Sequence, residues 1–352
     1  MMESLAEQGN AVHALCHGSS DKIKVHPLPD FFFYTKAFTF PLTSFFSFRK
    51  LISLIEKEDF DAVILKIPEC NGGGFWFKQR ALIKSRHYER IATELKKKNI
   101  AFFVFIEGLT EKESFISALM GCSSENALKA IKESNGIISL SREQNKILAS
   151  FGLSKPMAFF PAAVETEKYL PKKTCLELNL SEKKINLLYL SSSIDVRDFA
   201  DFFGFLENNN CVLYIISPLS SAPENFYSEL KKRKLEEKVV FLKGFSNEFL
   251  FKVIPFFDAG VYLKKFGSDF ADASFMVKIS EYLSCGLPVL VPEINGPINQ
   301  AGNAGINFEK TKKISKAEIK KLSLTARNTA LNNLDLNKTA SMLNEFIKKN
   351  IK

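Results

Sequence analysis

The chain has 352 residues, 46% hydrophobic and 25% charged, with a formal net charge of +9. That length exceeds what one core usually fills, so two domains are expected. No apolar run approaches the roughly 18 residues of a membrane span, and no charged stretch followed by an apolar one suggests secretion. Six scattered cysteines (16, 70, 122, 175, 211 and 285) without CxxC spacing argue for reduced thiols in the cytosol, against a zinc site or disulfide framework. The basic runs at Lys231–Lys234 and Lys310–Lys321 lack the interleaved aromatics of a nucleic-acid platform and read as solvated helix faces.

Met1 to Cys16 reads as a helix end, a Gly9-Asn10 turn and a strand. Asp30 to Lys57 is dense in phenylalanine, from Phe31 to Phe48, with Lys36 among them and Arg49 and Lys50 directly after. One reading is an amphipathic surface resting on a membrane beside a lipid-linked acceptor. The other is ordinary core packing in a chain with 34 phenylalanines. A helix over 47–57 leads into a strand at Asp61–Ile67. Gly72-Gly73-Gly74 follow it, where α/β sheets place ligands. No GK[ST] comes next, so this is not a P-loop; a cleft loop and a flexible loop both fit. A basic helix over 75–99 precedes a buried strand at 100–106, which ends at Glu107. A strand at 135–141 leads to a helix capped by Ser141, then to Pro156–Glu165 and a linker at Tyr169–Ser181.

The second half opens on a buried strand, Ile185–Leu190. Its loop, Ser191–Asp198, carries Ser192 and Arg197. Serine hydroxyls and backbone N–H groups can cradle a phosphate; Arg197 can equally pair with Asp198 or Asp201 at a helix start. Strands at Cys211–Ile216 and Val239–Lys243 follow, the second turning at Gly244. A helix at 249–256 and a strand at Asp258–Leu263 come next.

Phe266 to Pro292 reads as loop, helix, glycine stop and buried strand. Ser274 is a candidate N-cap. Met276, Ile279, Leu283 and Cys285 have helical apolar spacing. Gly286 suits a left-handed C′ position, Pro288 ends the helix, and Val289–Val291 is a short strand covered on both faces. Lys278 and Glu281 are three apart and share a face. The bland reading is a surface ion pair. The functional one is a phosphate held by Lys278 and the helix N–H groups, with Glu281 accepting from sugar hydroxyls.

Lys278-Ile-Ser-Glu281-Tyr-Leu-Ser-Cys-Gly286-Leu-Pro288-Val-Leu resembles the donor-site motif of GT-B glycosyltransferases, especially family 4. The resemblance extends more weakly over nearly the whole chain. It implies two Rossmann-like α/β domains facing a cleft, with the first strand of the N-terminal domain missing here. The implied division is 1–170 for the acceptor side, 171–335 for nucleotide-sugar binding, and 336–352 for a helix packing back on the first domain. It assigns Glu281 to the ribose and Lys278 to the diphosphate. Arg197 and Ser192 join them there, and Gly244 lies over the base. Ser274, Phe275, Met276 and Val277 at the helix start and Gly296 near the phosphates complete the donor set. Glu107 is the catalytic candidate, at a strand end where the family often carries Glu-x-His; Leu109 stands in the histidine's place. Ala273 stands where the first glutamate of Glu-x7-Glu is common, with Asp269 and Asp272 nearby.

The implied activity is transfer of a sugar from a nucleotide-sugar, UDP- or GDP-linked, to a glycan or lipid-linked acceptor. It would proceed with retention and without a metal or other cofactor, in cell-envelope polysaccharide synthesis. The expected setting is the cytoplasm, with peripheral contact at the inner face of the membrane and no nucleic-acid partner. The alternative is a degenerate, non-catalytic GT-B protein acting as a scaffold in glycan assembly.

Overall fold

The computed structural model describes residues 2–11, 13–16, 21, 24–27, 52–53, 55–57, 60–67, 89–106, 131–150, 152–169, 180–191, 194–217, 222–243, 247–263 and 276–351. The aromatic segment Phe31–Phe48 and Gly72–Gly74 lie outside them. The chain divides into two compact units, Met1–Pro161 with Thr339–Lys352, and Ala162–Lys338.

In the first unit, α1 (Met2–Glu7) ends before the expected turn, where Gly9 has φ +83°. Strand β1 (His13–Cys16) pairs in parallel with β2 (Lys24–Pro27). A second, wholly parallel sheet runs β3 (Ala62–Ile67), β4 (Ala101–Ile106), β5 (Gly136–Ser139), β6 (Met157–Phe159) in sequence order. Every residue of β4 is buried, as its unbroken apolar run requires of a strand covered on both faces. Ser141 caps α2 (Arg142–Ser150) as its position predicts: its Oγ accepts from the Gln144 N–H at 2.9 Å. Gln144 Oε1 reaches back to the Leu140 N–H at 2.7 Å. From the end of the chain, Phe346 meets Phe103 edge-on at 5.7 Å between centroids. It lies so close to Gly136 that a Cβ there would stand 2.7 Å from its ring.

The second unit has one six-stranded parallel sheet. It comprises β7 (Ile185–Leu190), β8 (Cys211–Ser217), β9 (Val239–Lys243), β10 (Ala259–Val261), β11 (Val289–Val291) and β12 (Gly305–Asn307). Their spatial order is β12-β11-β10-β7-β8-β9. Numbered from β7, this is the doubly wound order 3-2-1-4-5-6, and it reverses between β7 and β10. Ligands of such sheets bind outside the carboxyl ends of the strands at that reversal. The helices are α3 (Ala200–Asn208), α4 (Glu224–Arg233), α5 (Asn247–Val253), α6 (Val277–Ser284), α7 (Asn295–Ala301) and α8 (Lys316–Asn333); α9 (Leu336–Asn350) ends the chain.

Alternate residues of β7 feed two cores. Ile185, Leu187 and Tyr189 enter one, and Leu188 and Leu190 the other. The first is built on phenylalanine. Phe199 meets Phe226 of α4 edge-on at 4.8 Å, and Phe202 of α3 meets Phe308 at 5.1 Å. Asp258, at the start of the expected strand Asp258–Leu263, has a structural task. Its carboxylate accepts from the Asn186 N–H at 2.8 Å and pairs with Lys316 at 3.1 Å. Helix α8 starts at Lys316, where Ser315 and Glu318 form a capping box.

Lys238 closes the carboxyl end of α3. Its ammonium donates to the Leu206 carbonyl at 2.6 Å and the Asn209 carbonyl at 2.8 Å, complementing the negative end of the helix dipole. Lys238→Met keeps most of the stem and removes the charged donor. The expected cost is about 1.5–2 kcal/mol of unfolding free energy, read as a lower urea midpoint at an unchanged slope.

Candidate functional site

Helix α6 leaves the carboxyl side of β10 and returns the chain to β11, so it stands at the sheet reversal. It starts at Val277, later than the sequence suggests. The N-cap is Met276, extended at φ −106° and ψ 121° with no side-chain cap; Ser274, the expected cap, lies outside the described residues. Methionine has no capping oxygen, and α7 supplies the missing partner. The Met276 N–H donates to Gln300 Oε1 at 2.8 Å, and Gln300 Nε2 donates to the Met276 carbonyl at 2.8 Å and to Ser280 Oγ at 3.0 Å. Ser280 Oγ in turn donates to the Ala162 carbonyl at 2.6 Å. Gln300 and Ser280 are both buried, so these bonds form away from water.

The far end of α6 closes as the glycine predicts. Gly286 has φ +76°, its N–H donates to the Leu283 carbonyl at 2.9 Å, and the Leu287 N–H donates to the Tyr282 carbonyl at 2.9 Å. These two bonds form a Schellman motif. Arg327 of α8 adds a staple from outside. Its Nη1 donates to the Ser284 carbonyl and, at 2.9 Å, to the Thr166 carbonyl.

Tyr282 fixes the helix on the sheet. Its ring covers Gly260 of β10 so closely that a Cβ there would overlap the ring atoms. Its hydroxyl accepts from the Leu190 N–H at 2.9 Å, at the last residue of β7. The side chain is wholly buried, which pushes its hydroxyl well above the usual tyrosine range. One residue thus ties α6 to both strands flanking the reversal.

With Ile279, Tyr282 and Leu283 turned into the core, Lys278 and Glu281 come to the partly buried opposite face. Glu281 Oε1 accepts a hydrogen bond from the Tyr169 hydroxyl at 3.1 Å. Burial pushes the Glu281 carboxyl up; the Tyr169 hydrogen bond and the Lys278 charge pull it back only partly. Val277 is exposed on the first turn, and Gly296 is buried near the start of α7.

Arg197 lies across the reversal, on the loop after β7. The sequence offers it Asp198 or Asp201; its side-chain hydrogen bonds go instead to Asp195, with the Asp198 charge acting on it as well. Its Nε and Nη2 clasp Asp195, with Nε 3.0 Å from each carboxylate oxygen. Asp195 also accepts from the Arg197 N–H and caps the short turn Val196–Phe199. These bonds hold the Asp195 carboxyl down at about 2. The pair borders an open depression of about 480 Å³, lined also by Ile194, Pro223 and Asn225. Glu107, Ser192, Gly244, Ser274 and Phe275 lie outside the described residues, as do Leu109, Asp269, Asp272 and Ala273.

The structure therefore brings Lys278, Glu281 and Met276 together on α6, with Gly296 on the neighbouring helix. It adds Tyr169, Gln300, Ser280 and Arg327, which the sequence does not announce. Tyr169, read from sequence as the first residue of a linker, is buried in a 3-10 turn, Thr166–Tyr169, with Phe251 edge-on at 4.7 Å.

No family profile and no curated protein sequence matches the chain. Solved structures do. A sucrose-phosphate synthase from Thermosynechococcus elongatus superposes with a TM-score of 0.70 at 12% identity, over 99% of this chain and 91% of that one. A trehalose-6-phosphate synthase studied for glycosyl transfer with retention gives 0.58 at 11% identity, over 97% and 92%. A lipopolysaccharide outer core galactosyltransferase gives 0.56 at 14% identity, over 94% and 85%. The chain has the GT-B fold. In this GT-B chain the helix carrying Lys278 and Glu281 stands where a doubly wound sheet places its ligand.

Replacing Gln300 by leucine leaves the Met276 N–H without its partner, whereas the Met276 carbonyl still accepts from the Ile279 N–H at 3.0 Å. Losses of this kind cost about 1–3 kcal/mol per stranded group. Gln300→Leu is expected to lower the unfolding free energy by about 1–3 kcal/mol in chemical denaturation.

Proposed function

We propose that this GT-B chain transfers a sugar from a nucleotide-sugar to a glycan or lipid-linked acceptor, with retention and without a metal. The observation that carries the reading is the Lys278–Glu281 face of α6, held at the sheet reversal by Tyr282 and Gln300. In this reading Glu281 accepts hydrogen bonds from the ribose hydroxyls. The departing diphosphate meets the start of α6, where helix N–H groups and the dipole favour an anion, and the Lys278 ammonium. Fixed donors aimed at developing charge need no reorganisation as the bond breaks, which is where such sites gain most of their rate.

Arg197 enters this scheme as half of an ion pair. Its charge is balanced by Asp195, so its help to the diphosphate comes through the Nη1 edge or after Asp195 is displaced. Glu107 is kept as a candidate for touching the transferred sugar, on the strength of the resemblance alone. The structural neighbours include two sugar-phosphate synthases and a galactosyltransferase, which supports sugar transfer as the reaction class.

A thermal-shift panel of nucleoside diphosphates and nucleotide-sugars, followed by turnover with any donor that binds, tests the proposal. A ligand at one hundred times its Kd stabilises the native state by about 2.7 kcal/mol. One nucleotide is expected to raise the Tm of the wild type, with the shift lost in Glu281→Ala and in Lys278→Ala. No shift with any nucleotide on a folded sample overturns the reading. Binding without turnover assigns the chain to the non-catalytic scaffolds.

A further inference from the structure

We propose that Tyr169 is a positioning residue for the Glu281 carboxylate: its hydroxyl holds Oε1 and leaves Oε2 turned to the sugar hydroxyls of a bound nucleotide. The inference rests on the donor-site reading of α6. It adds a residue from a segment 112 positions earlier in sequence.

The geometry carries it. Tyr169 is 4% exposed, and its ring is wedged edge-on against Phe251 at 4.7 Å. The turn that bears it is fastened on both sides. The Thr166 hydroxyl donates to Asp335 at 2.5 Å, and the Thr166 carbonyl accepts from Arg327. A phenol held this firmly has little freedom beyond its own hydroxyl torsion, and its hydroxyl donates to Oε1 at 3.1 Å. Among the described residues, Glu281 Oε2 accepts no hydrogen bond. A glutamate with three free torsions would lose them on gripping a sugar. One already restrained by Tyr169 loses less, and that difference appears as affinity.

The arrangement also sets the protonation of the carboxyl. The ionisable groups around it are Tyr169 and Glu165 from the turn, Lys278, Tyr282 and Cys285 from α6, and Arg327 from α8, which acts on Cys285. The segments α7, β10 and β11 contain no ionisable side chain. Burial raises the Glu281 pKa, while Tyr169, donating to the ionised form, and Lys278 lower it. Nucleotide affinity that depends on ionised Glu281 is therefore complete above this pKa and lost as pH falls through it. Removing the phenol hydroxyl raises the pKa further and moves that loss to higher pH.

The test uses the full chain and its Tyr169→Phe variant, with Glu281→Gln as assignment control. First, the Glu281 carboxyl is titrated by 13C NMR without ligand; Tyr169→Phe is expected to raise its midpoint. Second, the Kd for UDP and GDP is measured calorimetrically across pH. Tyr169→Phe is expected to weaken the bound nucleotide about three- to tenfold, the effect of one hydrogen bond, and to shift the acid limb upward. An unmoved Glu281 midpoint overturns the positioning role whether or not any nucleotide binds. A moved midpoint with wild-type Kd at every pH overturns the link to ligand. A moved midpoint in a wild type that binds neither nucleotide supports the hold on the carboxylate and overturns the donor-site reading instead.

Discussion

The site depends on a tyrosine ring lying flat against a glycine. Tyr282 approaches β10 at the one residue without a Cβ, and from there its hydroxyl reaches the last N–H of β7. The contact is steric and polar together. The ring excludes water from the top of the sheet, and the hydroxyl satisfies a strand-end N–H that would otherwise be stranded. Because β7 and β10 are the two strands between which the sheet order reverses, this one side chain sets the height and rotation of α6 over the crevice. The rotation in turn decides that positions 278 and 281, rather than 279 and 283, face outward.

Once α6 is anchored, its two ends still have to be closed, and the solutions differ. The carboxyl end is closed locally, by a left-handed glycine and a Schellman pair. The amino end is closed at long range, by Gln300 from the next helix and by Ser280 against the Ala162 carbonyl. A borrowed cap couples the start of α6 to α7 and to the segment entering the second unit. Movement of any one of the three disturbs buried hydrogen bonds in the others, and such networks are costly when only partly satisfied.

This difference explains what the sequence made legible. Local rules served well: the β7, β8 and β11 runs, the Ser141 cap and the Gly286 stop all follow from neighbouring residues, and the structure has each of them. Lys278 and Glu281 were readable because i,i+3 spacing fixes their shared face. The start of α6 was misplaced because Ser274 obeys the local capping rule while the helix uses a distant glutamine. Tyr169 reads as linker because nothing around Thr166–Tyr169 has a period; its hydrogen bond depends on a partner more than a hundred residues away. Arg197 was readable as a cation but not as one already clasped, since an arginine two residues after an aspartate has several acids within reach.

The clasp at Arg197 and the tether at Glu281 represent opposite treatments of a charged group. Asp195 and Arg197 lie in water, where the pair is geometrically complete yet adds little to folding because solvent screens it. Glu281 is partly buried and, among the described residues, makes no ion pair within contact distance; a neutral phenol and the field of one lysine share the task of keeping it ionised. A carboxylate locked in a strong ion pair would be stable but occupied. One held by a phenol keeps an oxygen for a ligand at the cost of a raised pKa. The chain thus places a clasped ion pair on the open loop after β7 and a phenol-held carboxylate on the helix at the reversal, and it is the second that the proposed donor site uses.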